Sequence, residues 1–260
     1  KDKKYLIRIP GEGTDRLISR REEAEVYRTI SGLGLCDDPV YLNPENGYKV
    51  TAFLENVRVA NPKNQADVER CMEKLREFHS MGLQVAHSFD IFGQIEFYEK
   101  LWEGRQSIFG DYQTTKYNVL SLKEYIGCQD KEWVLTHIDA VPDNFLFYTE
   151  DGEEKLQLSD WEYAGMQDPH VDIAMFCIYS FYDKNQIDCV ISLYFDGNCD
   201  KKTRVKIYCY IAACGLLWSN WCEYKRSLGV EFGEYSQKQY DYAKDYYRYA
   251  KDEMRKSEQR

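Results

Sequence analysis

The chain has 260 residues, which is enough for one large domain or two lobes. Its formal net charge of −10 argues against a nucleic-acid partner and against binding to an anionic membrane surface. Its nine cysteines include no C-x-x-C pair, no apolar run reaches the ~18 residues of a membrane span, and no signal peptide is visible. We therefore expect a cytoplasmic protein with reduced thiols, no membrane insertion and no zinc site.

Residues 4–9 alternate in the manner of a β-strand, which ends at Pro10 and Gly11. The chain does not begin with Met and this segment already has the pattern of a strand inside a domain, so we expect N-terminal material to be missing. In kinases the strand before the first helix carries the cation that binds the nucleotide phosphates. Arg8 is the candidate for that cation, and the alternative is a solvent-facing arginine.

The first helix is predicted to begin at Thr14 or Asp15 and to run to about residue 33. It carries Glu22, Glu23 and Glu25, any of which could pair with Arg8 as the helix glutamate of kinases pairs with its lysine. We choose Glu23. The alternative is that all three are solvated surface charges.

A hairpin is predicted from two short strands, 40–42 and 48–53, which flank the turn signal Asn46-Gly47. The chain turns polar after Phe53, and we place a hinge there. Residues 1–55 would form a small β-rich nucleotide-binding lobe, and 56–260 a mainly helical lobe with the catalytic loop, metal site and substrate pocket. The hinge backbone at Thr51, Phe53 and Leu54 would contact the adenine.

The segment 137–144 has the pattern H-x-D-x-x-x-x-N and lies between two short apolar runs typical of buried strands. Asp160 follows a further apolar run. Phosphoryl transfer needs a carboxylate to accept the proton of the attacking hydroxyl, and oxygen ligands that hold Mg²⁺ on the phosphates. Asp139 suits the first task, and Asn144 and Asp160 suit the second. The alternative is a β-hairpin whose polar loop only turns the chain.

Several later segments are predicted to be helical, namely 66–81, 89–101, 117–126, 172–181, 201–226 and 235–249. His79 and His87 show no partner pattern and are interpreted as ordinary polar positions. Asp172, at a helix start, is expected to fix the geometry of the nearby loop. Trp218 and Trp221 lie three residues apart and therefore face the same way, either towards a ligand or into the core.

These segments resemble the choline/ethanolamine kinase branch of the aminoglycoside-phosphotransferase-like kinases, and within it the bacterial choline kinases of the phosphocholine-decoration pathway. The resemblance covers essentially the whole chain. It is carried by residues 6–11, 137–144, 160–163, 217–221 and 231–235. The H-x-D-x-x-x-x-N loop identifies only the superfamily, whereas the W-x-x-W helix followed by E-F-G and a tyrosine is the specific part.

The resemblance implies an α+β, two-lobed protein-kinase-like fold with ATP and Mg²⁺ between the lobes. It implies that Asp139 is the catalytic base, that Asn144 and Asp160 bind metal, and that Arg8 contacts ATP. The family's aromatic box for a trimethylammonium group matches Trp218, Trp221 and Tyr235, and a quaternary ammonium is indeed best held by aromatic faces. Glu162 and Tyr163 are further candidates for contact with the substrate.

The sequence departs from the family pattern at two places. The glycine-rich phosphate loop expected before Arg8 is absent from the sequence, and Ile178 stands where the eukaryotic choline kinases carry an acidic residue. We therefore predict a choline kinase, either a monomer or a homodimer. The alternatives are a kinase for ethanolamine, an aminoglycoside or another amino alcohol, and a catalytically inactive kinase-like binding protein.

Overall fold

The computed structural model describes residues 3–11, 14–102 and 104–258, apart from the side chains of residues 15 and 258. Within this part of the chain, small antiparallel sheets occupy the N-terminal portion and long helices the C-terminal portion. The predicted α+β class is therefore confirmed. None of the described helices is long and apolar enough to cross a membrane.

The N-terminal sheet has three antiparallel strands, β1 (Tyr5–Arg8), β2 (Pro39–Leu42) and β3 (Lys49–Ala52), in the order β1-β3-β2. The predicted hairpin joins β2 to β3, and Gly47 supplies the positive φ of 70° that its turn requires. In the register of β1 with β3, Arg8 lies opposite Lys49. The sheet therefore places two cations side by side at one end of β1.

The first helix, α1 (Arg20–Ile30), begins later and ends earlier than the sequence predicts. Residues Thr14–Arg16 form a separate 3-10 turn instead. Ser19, whose backbone is extended, is the N-cap of α1, and its side chain accepts a hydrogen bond from the backbone N–H of Glu22. The start at Thr14 or Asp15 was wrong because a serine further along the chain caps the helix.

The strands on either side of the loop 137–144 belong to different sheets. Strand β5 (Val134–Thr136) pairs with β8 (Gly165–Gln167), whereas β6 (Phe145–Glu150) pairs with β7 (Glu153–Leu158) and β4 (Arg58–Val59). The alternative of a simple hairpin around residues 137–144 is therefore wrong.

The chain divides into two compact units. The first consists of Lys1–Phe89 and Glu132–Asp172, and the second consists of Asp90–Lys131 and Ile173–Arg260. The first contains the sheets, α1 and α2 (Gln65–Ser80). The predicted lobe boundary at residue 55 stays a prediction. The remaining helices are α3 (Ile91–Lys100), α4 (Tyr112–Gly127), α5 (His170–Tyr179), α6 (Lys184–Tyr194), α7 (Lys201–Ser227) and α8 (Glu234–Glu258).

Helices α7 and α8 approach each other closely at Gly215. A Cβ atom at this position would lie 2.7 Å from the carbonyl oxygen of Gln239 and 2.9 Å from the backbone nitrogen of Ala243. No side chain fits at those distances, so glycine is required for this spacing of the two helices.

Candidate active site

The loop after β5 brings together the three predicted catalytic side chains. The amide nitrogen of Asn144 donates to the backbone carbonyl of Asp139 at 2.8 Å and to its carboxylate at 3.1 Å. The backbone N–H of Ser159 donates to the carbonyl of Asn144 at 2.8 Å, which fixes the neighbouring Asp160 beside the loop. One short network thus positions two carboxylates and one carboxamide.

His137, the first residue of the motif, is fully buried and serves the loop rather than the chemistry. Its Nε2–H donates to the carbonyl of Ser159 at 2.9 Å, and its ring packs on Trp161 with the centroids 4.5 Å apart. Burial lowers the pKa of this imidazole, which favours its neutral form. His137 therefore joins the loop to the Asp160 segment.

The site carries an excess of carboxylates, and their pKa values show it. Burial, and then the neighbouring charge of Asp160, raises the pKa of Asp139 to about 7. Burial also raises the pKa of Asp160, against the opposing influence of Lys49 and Arg8, and that of Glu162. A cation bound at this site would relieve the repulsion.

Asn144 and Asp160 fit a magnesium ion. Since the amide nitrogen of Asn144 is committed to Asp139, its carbonyl oxygen is the atom available as a ligand. The Asp160 side chain is 46% exposed, so its oxygens can be reached. The described residues include no group of three or more His, Cys, Asp and Glu that could hold a metal ion. Two protein oxygens suffice for Mg²⁺, which keeps waters and phosphate oxygens as its other ligands.

Arg8 forms a two-pronged ion pair with Glu23 of α1. Its Nη2 donates to Glu23 Oε2 at 2.8 Å and to the carbonyl of Gly47 at 2.9 Å, and its Nη1 donates to Glu23 Oε1. Of the three glutamates on the helix, Glu23 is the partner, as predicted, whereas Glu25 accepts from the backbone N–H of Ala86. Arg8 Nη1 also lies 3.9 Å from Asp160 Oδ1. The contact of Arg8 with ATP stays a prediction.

Two further cations near the site escaped the sequence analysis. The buried Arg20 donates to Glu23 at 3.0 Å and to Glu162 at 2.9 Å. Its i, i+3 spacing from Glu23 is a signal that could have revealed it. Lys49 is also buried; it donates to Tyr27 and lies 3.4 Å from Asp37. No sequence pattern marks Lys49, because only the strand register places it opposite Arg8.

The first unit also contains the residues predicted to contact the adenine and the substrate. Thr51 is buried on β3, Phe53 is 48% exposed after it, and Leu54 is half-buried. The adenine contacts predicted for all three stay predictions. Tyr163 lies edge-on to the ring of Phe89, with the centroids 6.4 Å apart. Glu162 pairs with Arg20, and its contact with the substrate also stays a prediction.

The second unit contains a continuous aromatic cluster, which we define as Trp218, Trp221, Phe232, Tyr235, Tyr179 and Phe181. Its successive ring centroids lie 4.9–6.3 Å apart along the sequence Trp218–Trp221–Phe232–Tyr235, and Tyr235 also contacts Tyr179 and Phe181 at 6.1 and 5.8 Å. The sequence predicted the two tryptophans and Tyr235 but missed the other three rings. Ile178, compared above with an acidic family residue, is buried, and the next residue, Tyr179, supplies the ring.

The two tryptophans differ in their surroundings. Trp218 is buried, and its indole N–H donates to the sulfur of Met175 at 3.0 Å. Trp221 is partly exposed, its Nε1 has no hydrogen-bond partner among the described residues, and Lys225 Nζ lies 5.4 Å from its ring. Trp221 is therefore the better placed of the two to meet a cation.

Comparison with known proteins identifies the family. Residues 1–211 match the sequence profile of the family described as choline/ethanolamine kinase. The chain belongs to this family. The prediction of family and fold is thereby confirmed, and the protein is a kinase of the choline/ethanolamine kinase family.

Individual relatives agree with this assignment. The chain is 29% identical to protein LicA of Haemophilus influenzae in an alignment 255 residues long that covers 92% of each protein. The crystal structure of choline kinase LicA from Streptococcus pneumoniae has a TM-score of 0.81 and 27% identity, over 95% of this chain and 86% of that one. A second structure, of LicA in complex with AMP, also has a TM-score of 0.81, with 26% identity over 95% and 85% of the two chains.

Proposed function

We propose that this protein is an ATP-dependent phosphotransferase that converts choline to phosphocholine. The observation that carries the phosphoryl-transfer part is the network joining Asp139, Asn144 and Asp160. The aromatic cluster supports choline as the substrate, since a trimethylammonium group offers no hydrogen-bond donors and is held by ring faces.

Asp139 acts as the general base in this proposal. A general base works best when its pKa lies near the working pH. The pKa of Asp139, raised to about 7 by burial and by Asp160, meets that condition in the metal-free protein. The bond from Asn144 to its carboxylate fixes the direction from which the hydroxyl proton is accepted.

Asn144 and Asp160 would hold Mg²⁺, which when bound neutralises charge on the nucleotide phosphates. Arg8, held in place by Glu23, would contact those phosphates, and Lys49 beside it adds positive charge. The backbone around Thr51, Phe53 and Leu54 would contact adenine. The structure of LicA in complex with AMP supports nucleotide binding by the family.

Trp221 and Tyr235 would bind the trimethylammonium group, with Trp218 completing the box and Glu162 and Tyr163 adding contacts to the substrate. Ethanolamine carries three N–H donors that ring faces satisfy poorly. The expected discrimination is ~1–2 kcal/mol, about 5–30-fold in kcat/KM. An aminoglycoside would require a wide pocket rich in carboxylates, which the aromatic cluster does not provide.

A coupled assay of ADP formation with choline, ethanolamine and kanamycin tests the proposal. We expect turnover with choline, at least about 5-fold lower kcat/KM with ethanolamine, and none with kanamycin. A preference for ethanolamine would contradict the assignment of choline as the substrate, but it would leave the assignment of kinase activity intact. Turnover with none of the three, under conditions where nucleotide binds, would favour an inactive binding protein, which the intact catalytic residues argue against.

A further inference from the structure

Lys225 places a positive charge beside the aromatic cluster. It lies in the last turn of α7, one turn beyond Trp221, and is half-buried. Its Nζ lies 5.4 Å from the centroid of the Trp221 ring and 6.0 Å from that of the Tyr224 ring. Both distances are within the ~6 Å at which an ammonium group and an aromatic ring attract each other. The most exposed tryptophan of the cluster therefore already holds a cation that belongs to the chain.

The charge of Lys225 is not neutralised by a carboxylate. Among the residues that the structure describes, none forms an ion pair with its Nζ. The next residue along the helix differs, since the guanidinium of Arg226 donates to Glu223 Oε2 at 2.7 Å. An ion pair cancels most of the field of its cation, whereas an unpaired ammonium exerts its full field on nearby groups.

The backbone of Lys225 is fixed at the end of α7. Its carbonyl accepts hydrogen bonds from the backbone N–H groups of Leu228 at 3.0 Å and Val230 at 3.1 Å. These bonds close the last turn of the helix before the chain continues to Phe232, the next ring of the cluster. Lys225 is therefore held beside Trp221 rather than on a mobile loop.

We propose that Lys225 is a specificity-determining residue that weakens the binding of cationic substrates to the aromatic cluster. The inference rests on the proposed function, in which Trp221 binds a trimethylammonium group. On the ring face that Lys225 occupies, its ammonium excludes a second cation, and on the opposite face it repels one across the ring. Two like charges about 10 Å apart at a partly exposed site weaken binding about 3–10-fold. An uncharged molecule of the same shape does not experience this repulsion.

An uncharged analogue of choline separates the effect of charge from that of shape. In neohexanol a tert-butyl group replaces the trimethylammonium group, and the hydroxyl group is retained. Lys225→Met removes the ammonium and keeps an apolar side chain of similar length. We expect this variant to lower KM for choline about 3–10-fold. The inhibition constant of neohexanol against choline, and KM for ATP, should stay within about 2-fold of the parent values.

Two further variants serve as controls. Lys225→Arg retains the charge, so its KM for choline should stay within about 2-fold of that of the parent. Lys202→Met removes the same charge from the same helix, but Lys202 is exposed in the first turn of α7, about 28 Å along the helix from Trp221. Salt screens the charge at that distance, and KM for choline should not change.

The proposal is overturned if Lys225→Met leaves KM for choline unchanged or raises it, since Lys225 would then only stabilise the C-terminal end of α7. It is also overturned if KM for choline and the inhibition constant of neohexanol fall together, because shape rather than charge would then be responsible. Failure of the proposed function gives a different result. The parent would not turn over choline, or Trp221→Ala would leave KM for choline unchanged, and both proposals would then be wrong.

Discussion

Asp139, the proposed base, meets two opposing requirements, because the burial that raises its pKa towards neutrality also makes the charged form of its carboxylate costly. In the metal-free protein its pKa is raised to about 7, above the ordinary value for aspartate. Replacing it by asparagine keeps the shape and polarity of the side chain while deleting the proton acceptor. We expect Asp139→Asn to lower kcat by ~10²–10⁴. Steady-state kinetics with choline measure this, and turnover within 2-fold of the parent would contradict the assignment.

Asp139→Asn should also change the stability of the fold, and here the predicted effect is a gain rather than a loss. A carboxyl group whose folded pKa lies above its unfolded pKa destabilises the fold progressively as pH rises from about 4 to about 7. Asp139→Asn removes that penalty, so the metal-free variant should be more stable than the parent at pH 8 by about 1–2 kcal/mol, after screening at the partly exposed site. At pH 4 the two should be equal. Urea titrations with EDTA at both pH values test this, and a variant less stable at pH 8 would contradict it.

The two proposed metal ligands differ in charge, and this difference predicts an order of severity. Asp160→Ala removes a full negative charge, whereas Asn144→Ala removes a neutral oxygen. Both substitutions should raise the Mg²⁺ concentration needed for half-maximal activity, and Asp160→Ala should raise it more. Asn144→Ala also releases Asp139 from its hydrogen bond and should lower kcat at saturating metal. An unchanged Mg²⁺ dependence in both variants would mean that the metal is held elsewhere.

At the scale of single elements, the cation–π interpretation is tested on α7. Trp221→Ala should raise KM for choline about 10-fold or more and leave KM for ATP within 2-fold, because only the methylated cation loses a ring face. Trp133→Ala provides a matched control, since Trp133 is 48% exposed and lies outside the aromatic cluster. If Trp221→Ala raised KM for ATP and KM for choline equally, the two tryptophans would be core residues rather than part of the substrate site.

The elements show what could be predicted from the sequence. Local patterns reveal the strands around the catalytic loop and the long amphipathic helices, because hydrophobic periodicity is a local signal. They also predict the pairing of Arg8 with Glu23, because one follows from its place on the first strand and the other from its place on the first helix. His79 and Asp172 are 93 residues apart in the sequence, and no local pattern predicts their contact. Tyr179, Phe181 and Phe232 were not predicted as members of the aromatic cluster for the same reason, since ring contacts between separate segments depend on tertiary packing.

At the scale of the whole molecule, ligand binding should appear as added stability. AMP-PNP with Mg²⁺ at about 100 times its Kd should stabilise the fold by about 2.7 kcal/mol, a rise in Tm of several degrees. Omitting Mg²⁺ should remove most of this rise, because the carboxylates of Asp139, Asp160 and Glu162 would then face the phosphates without a cation between them. Differential scanning fluorimetry measures the rise in Tm with and without Mg²⁺. An equal rise with and without the metal would contradict the metal site.

The close approach of α7 and α8 at Gly215 connects helix packing to the substrate selectivity proposed above. Trp218 and Trp221 lie about one and two turns beyond Gly215 on α7, and Tyr235 lies about one turn before Gln239 on α8. The distance between these rings therefore depends on the absence of one methyl group in the core. Adding it, as in Gly215→Ala, would push the helices apart and widen the cluster. Under the proposed function, a substitution at Gly215 would therefore change the substrate range of this kinase without changing any residue of the aromatic cluster.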